Sequence, residues 1–187
     1  MTKKKFLDPN IGNKSKTVEE KIQLFDYEGA KLPLPTEIEI SESGTCNRSC
    51  SFCPRSAADF EDKKEFISNE LHEKLCTELQ KLNYKGTIRY SGFVEPMLDK
   101  NIYNLISMVK DFLPDCNVEM VTNGDPLNLK RLNKIFQSGL NRILISAYDS
   151  KEDADKLEDL CKEAQLSSDQ YIVRHRYYSE EQDFGIT

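Results

Sequence analysis

Residues 37–56, EIEISESGTCNRSCSFCPRS, place a strand signal directly before a loop that carries Cys46, Cys50 and Cys53. In the strand, 37–41, Glu37, Glu39 and Ser41 alternate with Ile38 and Ile40, the period-two pattern of a half-buried strand. The cysteines follow as Cys-x3-Cys-x2-Cys, so three sulfurs can converge on one small object. Iron–sulfur cubanes take thiolate ligands, usually four. Three leave one iron with an open position, the logic by which catalytic zinc keeps its fourth site. A zinc site would need a fourth protein ligand, and His72 and His175 lie far away in the sequence. A disulfide would leave an odd cysteine.

Strands and helices alternate from residue 37 onward. Further strands are predicted at 86–91, 117–122, 142–147 and 171–177. A first helix should start at an N-cap Ser68 and run through Leu71, Leu75, Leu79 and Leu82. A second starts near Asp99 and carries Ile102, Leu105, Ile106, Val109 and Phe112. A third has Leu129, Leu132 and Phe136, with Gly139 as its stop. A fourth carries Leu157, Leu160, Cys161 and Ala164. Such alternation implies parallel strands with right-handed crossovers, an α/β fold that is either an open doubly wound sheet or part of a barrel. One strand parity is repeatedly polar: Glu37, Glu39 and Ser41, then Thr87, Arg89 and Ser91, then Glu119 and Asn123, then Arg142 and Ser146. Strands buried on both faces read as continuous apolar runs, and a complete small barrel is filled with branched apolar residues. The polar parity therefore points to an open, wet interior shared by about five parallel strands. An amphipathic sheet with one solvent face is the alternative.

The 187 residues suit one globular domain. Residues 1–35 read as a polar tail plus a short amphipathic helix over 17–25, with Val18, Ile22 and Phe25 on one side; Pro33 and Pro35 then punctuate the chain, and 36–187 form the core domain. Twenty-six Lys and Arg against 32 Asp and Glu give a net charge of -6, which argues against a global field for nucleic acid. No apolar run approaches a membrane span and no signal-peptide core is present. These features place the chain in the cytoplasm, where six cysteines are ligands or core residues before they are disulfides. Cys76 and Cys161 lie beside apolar helix positions and Cys116 begins a strand after Pro114-Asp115; all three are widely separated and read as core rather than as an auxiliary cluster. Arg55 and the charged run 59–65 read as surface.

At its cysteine loop the chain resembles the radical S-adenosylmethionine (radical SAM) superfamily. Its Cys-x3-Cys-aromatic-Cys motif, with Phe52 before the last cysteine, follows the first strand of a β/α series, as that family requires. The segment Ser91-Gly92-Phe93-Val94-Glu95-Pro96 is similar to the family's Ser-Gly-x-Gly-Glu-Pro variant; Val94 stands where the variant has glycine, and a β-branched residue would be strained there if the position needs positive φ. Thr122-Asn123-Gly124 is similar to the family's Thr-Asn-Gly, and Ser146 to its fourth-strand serine.

The resemblance implies an incomplete (β/α)6 TIM-like partial barrel, with Cys46, Cys50 and Cys53 holding a 4Fe-4S cluster. S-adenosyl-L-methionine would chelate the open iron, with the Phe52 backbone near adenine and Ser91, Gly92 and Glu95 holding the methionine amino group. Asn123 lies on the polar parity. Ser146 would stand near ribose and carboxylate, and Arg174 or Arg176 would face the cofactor carboxylate or the substrate. Reductive cleavage of the sulfonium would give methionine and a 5′-deoxyadenosyl radical that takes hydrogen from a peptide or small metabolite. A flavodoxin- or ferredoxin-type donor would supply the electron. The motifs look closest to the MoaA-like and SPASM-bearing branch. Thr187 comes before a sixth strand, which implies a truncated form or a chain that completes the barrel. A non-catalytic iron–sulfur subunit and a zinc-binding interaction module are the alternatives to an enzyme.

Overall fold

Five strands pair in the order in which the chain makes them, which decides between the two α/β arrangements. The computed structural model describes residues 22–177. Strands β3 (Glu37–Ile40), β4 (Thr87–Tyr90), β5 (Asn117–Thr122), β6 (Arg142–Ala147) and β7 (Tyr171–His175) form one sheet in that order, every neighbouring pair parallel. A doubly wound sheet reverses its strand order at a switch point. This one does not, and it curls in one sense as a partial barrel. Helices α1 (Asn69–Lys81), α2 (Ile102–Phe112), α3 (Leu129–Gln137) and α4 (Lys151–Glu163) fill the four crossovers.

Their ends follow the local sequence. Ser68, Asn128 and Ser150 cap α1, α3 and α4 by accepting from the amides of Leu71, Arg131 and Asp153, and Gly139 follows α3 at φ 105°. Ile88, Tyr90, Val118, Met120, Ile143 and Ile145 project under the helices and meet Ile102, Leu105, Ile106, Val109, Leu132 and Ile135 in one core. Cys76, Cys116 and Cys161 lie in that core as small apolar groups. On α1 the buried positions are His72, Cys76 and Leu79, whereas Leu71 is 58% exposed. The inward face thus keeps Leu79 and, in part, Leu75 of the predicted stripe, adds His72 and Cys76, and leaves Leu71 and Leu82 outside. The imidazole is accommodated because its Nε2 meets the Tyr90 hydroxyl at 2.8 Å.

The helix predicted over 17–25 is replaced where it can be seen. Residues 17–21 lie outside the described residues, and Leu24–Tyr27 (β1) pairs antiparallel with Ala30–Pro33 (β2). Glu28 and Gly29 both adopt positive φ, 50° and 84°, which a two-residue hairpin turn demands. Asp26 steadies the turn by accepting from the Gly29 amide. Phe25, one of the three apolar residues that suggested a helix, fits either form, and the turn dipeptide decides.

The polar parity does share one face, and its middle neutralises itself. Arg89, 4% exposed, donates to Glu37 at 2.5 Å and to Glu119 at 2.6 Å, and Arg142 lies 3.7 Å from Glu119. Asn117 donates to the other Glu119 oxygen. A charge this buried must be paired. The central interior is therefore an ion-pair ladder, not an open charged cavity awaiting a ligand. Removing its cation strands two carboxylates: Arg89→Ala should cost about 3–5 kcal/mol, read as a lower urea midpoint, whereas Lys81→Ala on the surface should cost under about 1 kcal/mol.

Candidate active site

In a parallel sheet all strands end on one edge, and the loops leaving that edge make the site. Here the loops after β3, β4, β5 and β6 meet. Cys46, Cys50 and Cys53 line one pocket together with Phe52, Ser91, Gly92, Glu95 and Asn123, contributed by the first three of these loops. All three thiols are free and partly exposed. Among the described residues no group of three or more His, Cys, Asp and Glu side chains is arranged to hold a single metal ion. Three free thiols on one short loop, with no other acidic or imidazole ligand joining them, match the donor set of a thiolate-held cluster. Burial is the largest influence on Cys50 and pushes its thiol up, with Arg48 opposing it.

The cysteine loop is irregular: the amide of Cys53 bonds the carbonyl of Cys50 at 2.9 Å, and Pro54–Ser56 forms one 3-10 turn. It is held from several sides. The Glu95 amide donates to the Thr45 carbonyl. Asn123 Nδ2 donates to Asn47 Oδ1 at 2.8 Å and lies 3.9 Å from Cys46 Sγ. Arg55, read from sequence as surface, has its side chain 6% exposed; it donates to the carbonyls of Gly44 and Phe93 and pairs with Asp62.

Glu95 is buried and its carboxylate accepts three bonds, from the Met97 amide at 3.0 Å, Thr122 Oγ1 at 2.7 Å and the Asn123 amide at 2.7 Å. It staples the loop after β4 to the end of β5. Burial raises its pKa, and these bonds hold the shift back. A carboxylate offers about four acceptor positions, so one remains beyond these three bonds. Gly92 has φ 113°, and a Cβ there would stand 2.1 Å from Ser41 Oγ, which donates to the Ser91 carbonyl. Val94 is not among the positive-φ residues. The glycine requirement of this loop falls on Gly92, and Val94 carries no such strain. Gly124, at φ 84°, closes the third segment.

Phe52 is 54% exposed, and its ring centroid is 5.4 Å from that of Tyr148, which follows β6 and lines the same pocket. Ser146 and Arg174 are not brought to this wall. They pair with each other on β6 and β7, Arg174 Nη2 donating to Ser146 Oγ at 2.6 Å. Sequence reasoning missed Tyr148, Arg48, Asp125 and Asp149. Tyr148 directly follows a predicted strand and could have been flagged by position; the other three carry no periodic signal.

Behind the loop, Glu42 is 1% exposed and one of its oxygens has no partner. Burial, with smaller contributions from Asp99 and Glu95, pushes its pKa up to about 7, against the bond from Ser43.

The comparisons with known proteins give the family and the fold. The family model described as "Radical SAM superfamily" matches residues 40–182. A curated S-adenosyl-L-methionine-dependent 2-deoxy-scyllo-inosamine dehydrogenase of Niallia circulans is 29% identical over 111 residues, 59% of this chain and 44% of that protein. A probable GTP 3′,8-cyclase of Thermococcus kodakarensis is 30% identical over 122 residues, 65% of this chain and 38% of that protein. Among solved structures, BtrN in complex with AdoMet and 2-DOIA superposes with a TM-score of 0.65 at 24% identity, covering 75% of this chain and 56% of BtrN. The peptide-bound anSMEcpe structure gives 0.59 at 14%, over 75% of this chain and 42% of that one. These last two are likenesses of fold. The chain spans about half, or less, of the length of these relatives. Among the described residues no helix is long and apolar enough to cross a membrane.

A carboxyl whose folded pKa is raised stabilises below its unfolded value and loses that contribution as pH rises through the folded value. Glu42 should therefore weaken the metal-free protein progressively between pH 4.5 and about 7, by on the order of 3 kcal/mol in all. Glu42→Gln should overtake wild type in urea midpoint across that window and hold its lead at pH 8. A midpoint difference that does not change with pH would contradict this assignment.

Proposed function

The chain belongs to the radical SAM superfamily, and from this we propose that Cys46, Cys50 and Cys53 hold a 4Fe-4S cluster whose open iron takes S-adenosyl-L-methionine. The observation that carries the proposal is the meeting of these three free thiols with Ser91, Gly92, Glu95 and Asn123 in one pocket. When bound, such a cluster supplies the electron that splits the sulfonium into methionine and a 5′-deoxyadenosyl radical.

This chain's own residues would bind and orient. Gly92, whose missing side chain leaves room for Ser41 Oγ, turns the loop so that Ser91, Gly92 and the remaining acceptor position of Glu95 would take the methionine ammonium. The Phe52 backbone would meet adenine, beside the aromatic wall that its ring forms with Tyr148. Asn123 reaches the cysteine loop from the polar parity. Ser146 and Arg174, which pair on the shared face and not on the pocket wall, would face ribose and a carboxylate of cofactor or substrate from that face. Residues 36–187 would act as the cofactor-binding domain of a cytoplasmic enzyme. A flavodoxin- or ferredoxin-type protein would reduce it, and a peptide or small metabolite would give up the hydrogen atom.

Anaerobic reconstitution with iron and sulfide, followed by dithionite and S-adenosyl-L-methionine, should yield 5′-deoxyadenosine by chromatography. Cys50→Ala should lower the yield to background. A protein that stays colourless and retains zinc would refute the proposal. A brown protein that releases no 5′-deoxyadenosine would leave only the cluster-binding half standing.

A further inference from the structure

Arg48 lies in the first gap of the cysteine motif, yet its side chain points across the sheet edge. Its Nε and Nη2 donate to the two Asp125 oxygens at 2.7 and 2.5 Å. Its Nη1 and Nη2 donate to the two Asp149 oxygens, both at 2.7 Å. One guanidinium thus receives two carboxylates in fork geometry, one from the loop after β5 and one from the loop after β6. Asn47 adds a third tie by donating to Asp125 at 2.7 Å. The hydrogen bond to Asp149, then that to Asp125, pushes the guanidinium further into its charged form, and Arg48 draws Asp149 down.

Neutralising one cation would need one carboxylate. Two leave the group with a net negative charge, so the arrangement is explained by direction: bidentate pairs fix the angle as well as the distance. The Arg48 side chain is 18% exposed against 34% for Asp125 and 61% for Asp149. Pairs this open contribute little to global stability. The same residue presents its backbone amide to Cys46 Sγ at 3.4 Å. Anchoring the side chain therefore fixes the N–H that faces a sulfur, and hydrogen bonds to ligand sulfurs are among the features that tune a cluster.

We propose that Arg48, gripped by Asp125 and Asp149, is a positioning residue that sets the conformation of residues 46–50 before metal arrives and thereby how the cluster is held. The second half of this statement rests on the cluster-binding function proposed above; the first does not. The test uses the full chain with Arg48→Lys, which keeps the charge and loses the fork, and with the double variant Asp125→Asn/Asp149→Asn. Asp155→Asn, which unpairs Lys151 on the surface of α4, is the control. In the metal-free protein, hydrogen exchange of the peptide spanning 45–53 should quicken about tenfold in both clamp variants and stay unchanged in the control. In reconstituted protein, iron release to a chelator should quicken about tenfold, and the paramagnetic resonance of the reduced cluster should broaden as its surroundings become heterogeneous. Unchanged exchange in both clamp variants overturns the proposal. Faster exchange with an unaltered release rate and resonance overturns its second half. A protein that takes up no iron refutes the cluster-binding function, while the exchange experiment still decides whether the clamp orders the loop.

Discussion

The Glu95 carboxylate holds together the edge on which the site is built. It is buried, it accepts from Met97, Thr122 and Asn123, and its own amide reaches back to Thr45. Three loops that share no regular secondary structure are thereby joined through one residue. A buried carboxylate is costly to desolvate, and its three donors offset that cost only if its own loop and the end of β5 are both in place. The Glu-Pro segment thus accounts for its presence by architecture alone, and any ligand cation would be accommodated by a group that is already fixed. Arg55 repeats the device from the other side, spanning the carbonyls of Gly44 and Phe93.

Much of this fold could be read from periodicity, because the strands of the sheet largely alternate polar and apolar residues and each helix buries one stripe. The five strands of the parallel sheet fall within a few residues of where alternation places them. Two failures share one cause: a periodic pattern says that a face exists but leaves other determinants unread. Phe25 fits a helix face or a strand, and only Glu28-Gly29 distinguishes them. On α1 the leucines suggest a stripe, but Tyr90 supplies the partner that makes the His72 side the buried one. The polar interior was legible as polar and not as self-neutralised, since pairing across β3, β4, β5 and β6 depends on register.

The site divides in the same way. Spacing and position bring out the three cysteines, Gly92, Glu95 and Asn123, because a loop that follows a strand has a known place in a parallel sheet. Arg48 was not legible: its partners stand 77 and 101 residues away, and an arginine between two cysteines has no pattern to betray it. Arg55 is hidden for the same reason. Ser146 and Arg174 show the converse limit, since correct parity places them on the shared face without bringing them to the pocket wall.

The sheet order has a consequence for how the protein is made. Strands β3 to β7 pair strictly with their immediate predecessors, so every strand leaving the ribosome finds its partner already synthesised. Among the described strands none must wait exposed for a distant C-terminal mate, the circumstance that makes many parallel sheets slow and aggregation-prone. The sheet can grow from its N-terminal edge one β–α unit at a time, each new strand covering the open edge left by the last. In that sequence the cysteine loop emerges early, and its clamp can close only once Asp149 has followed β6 out.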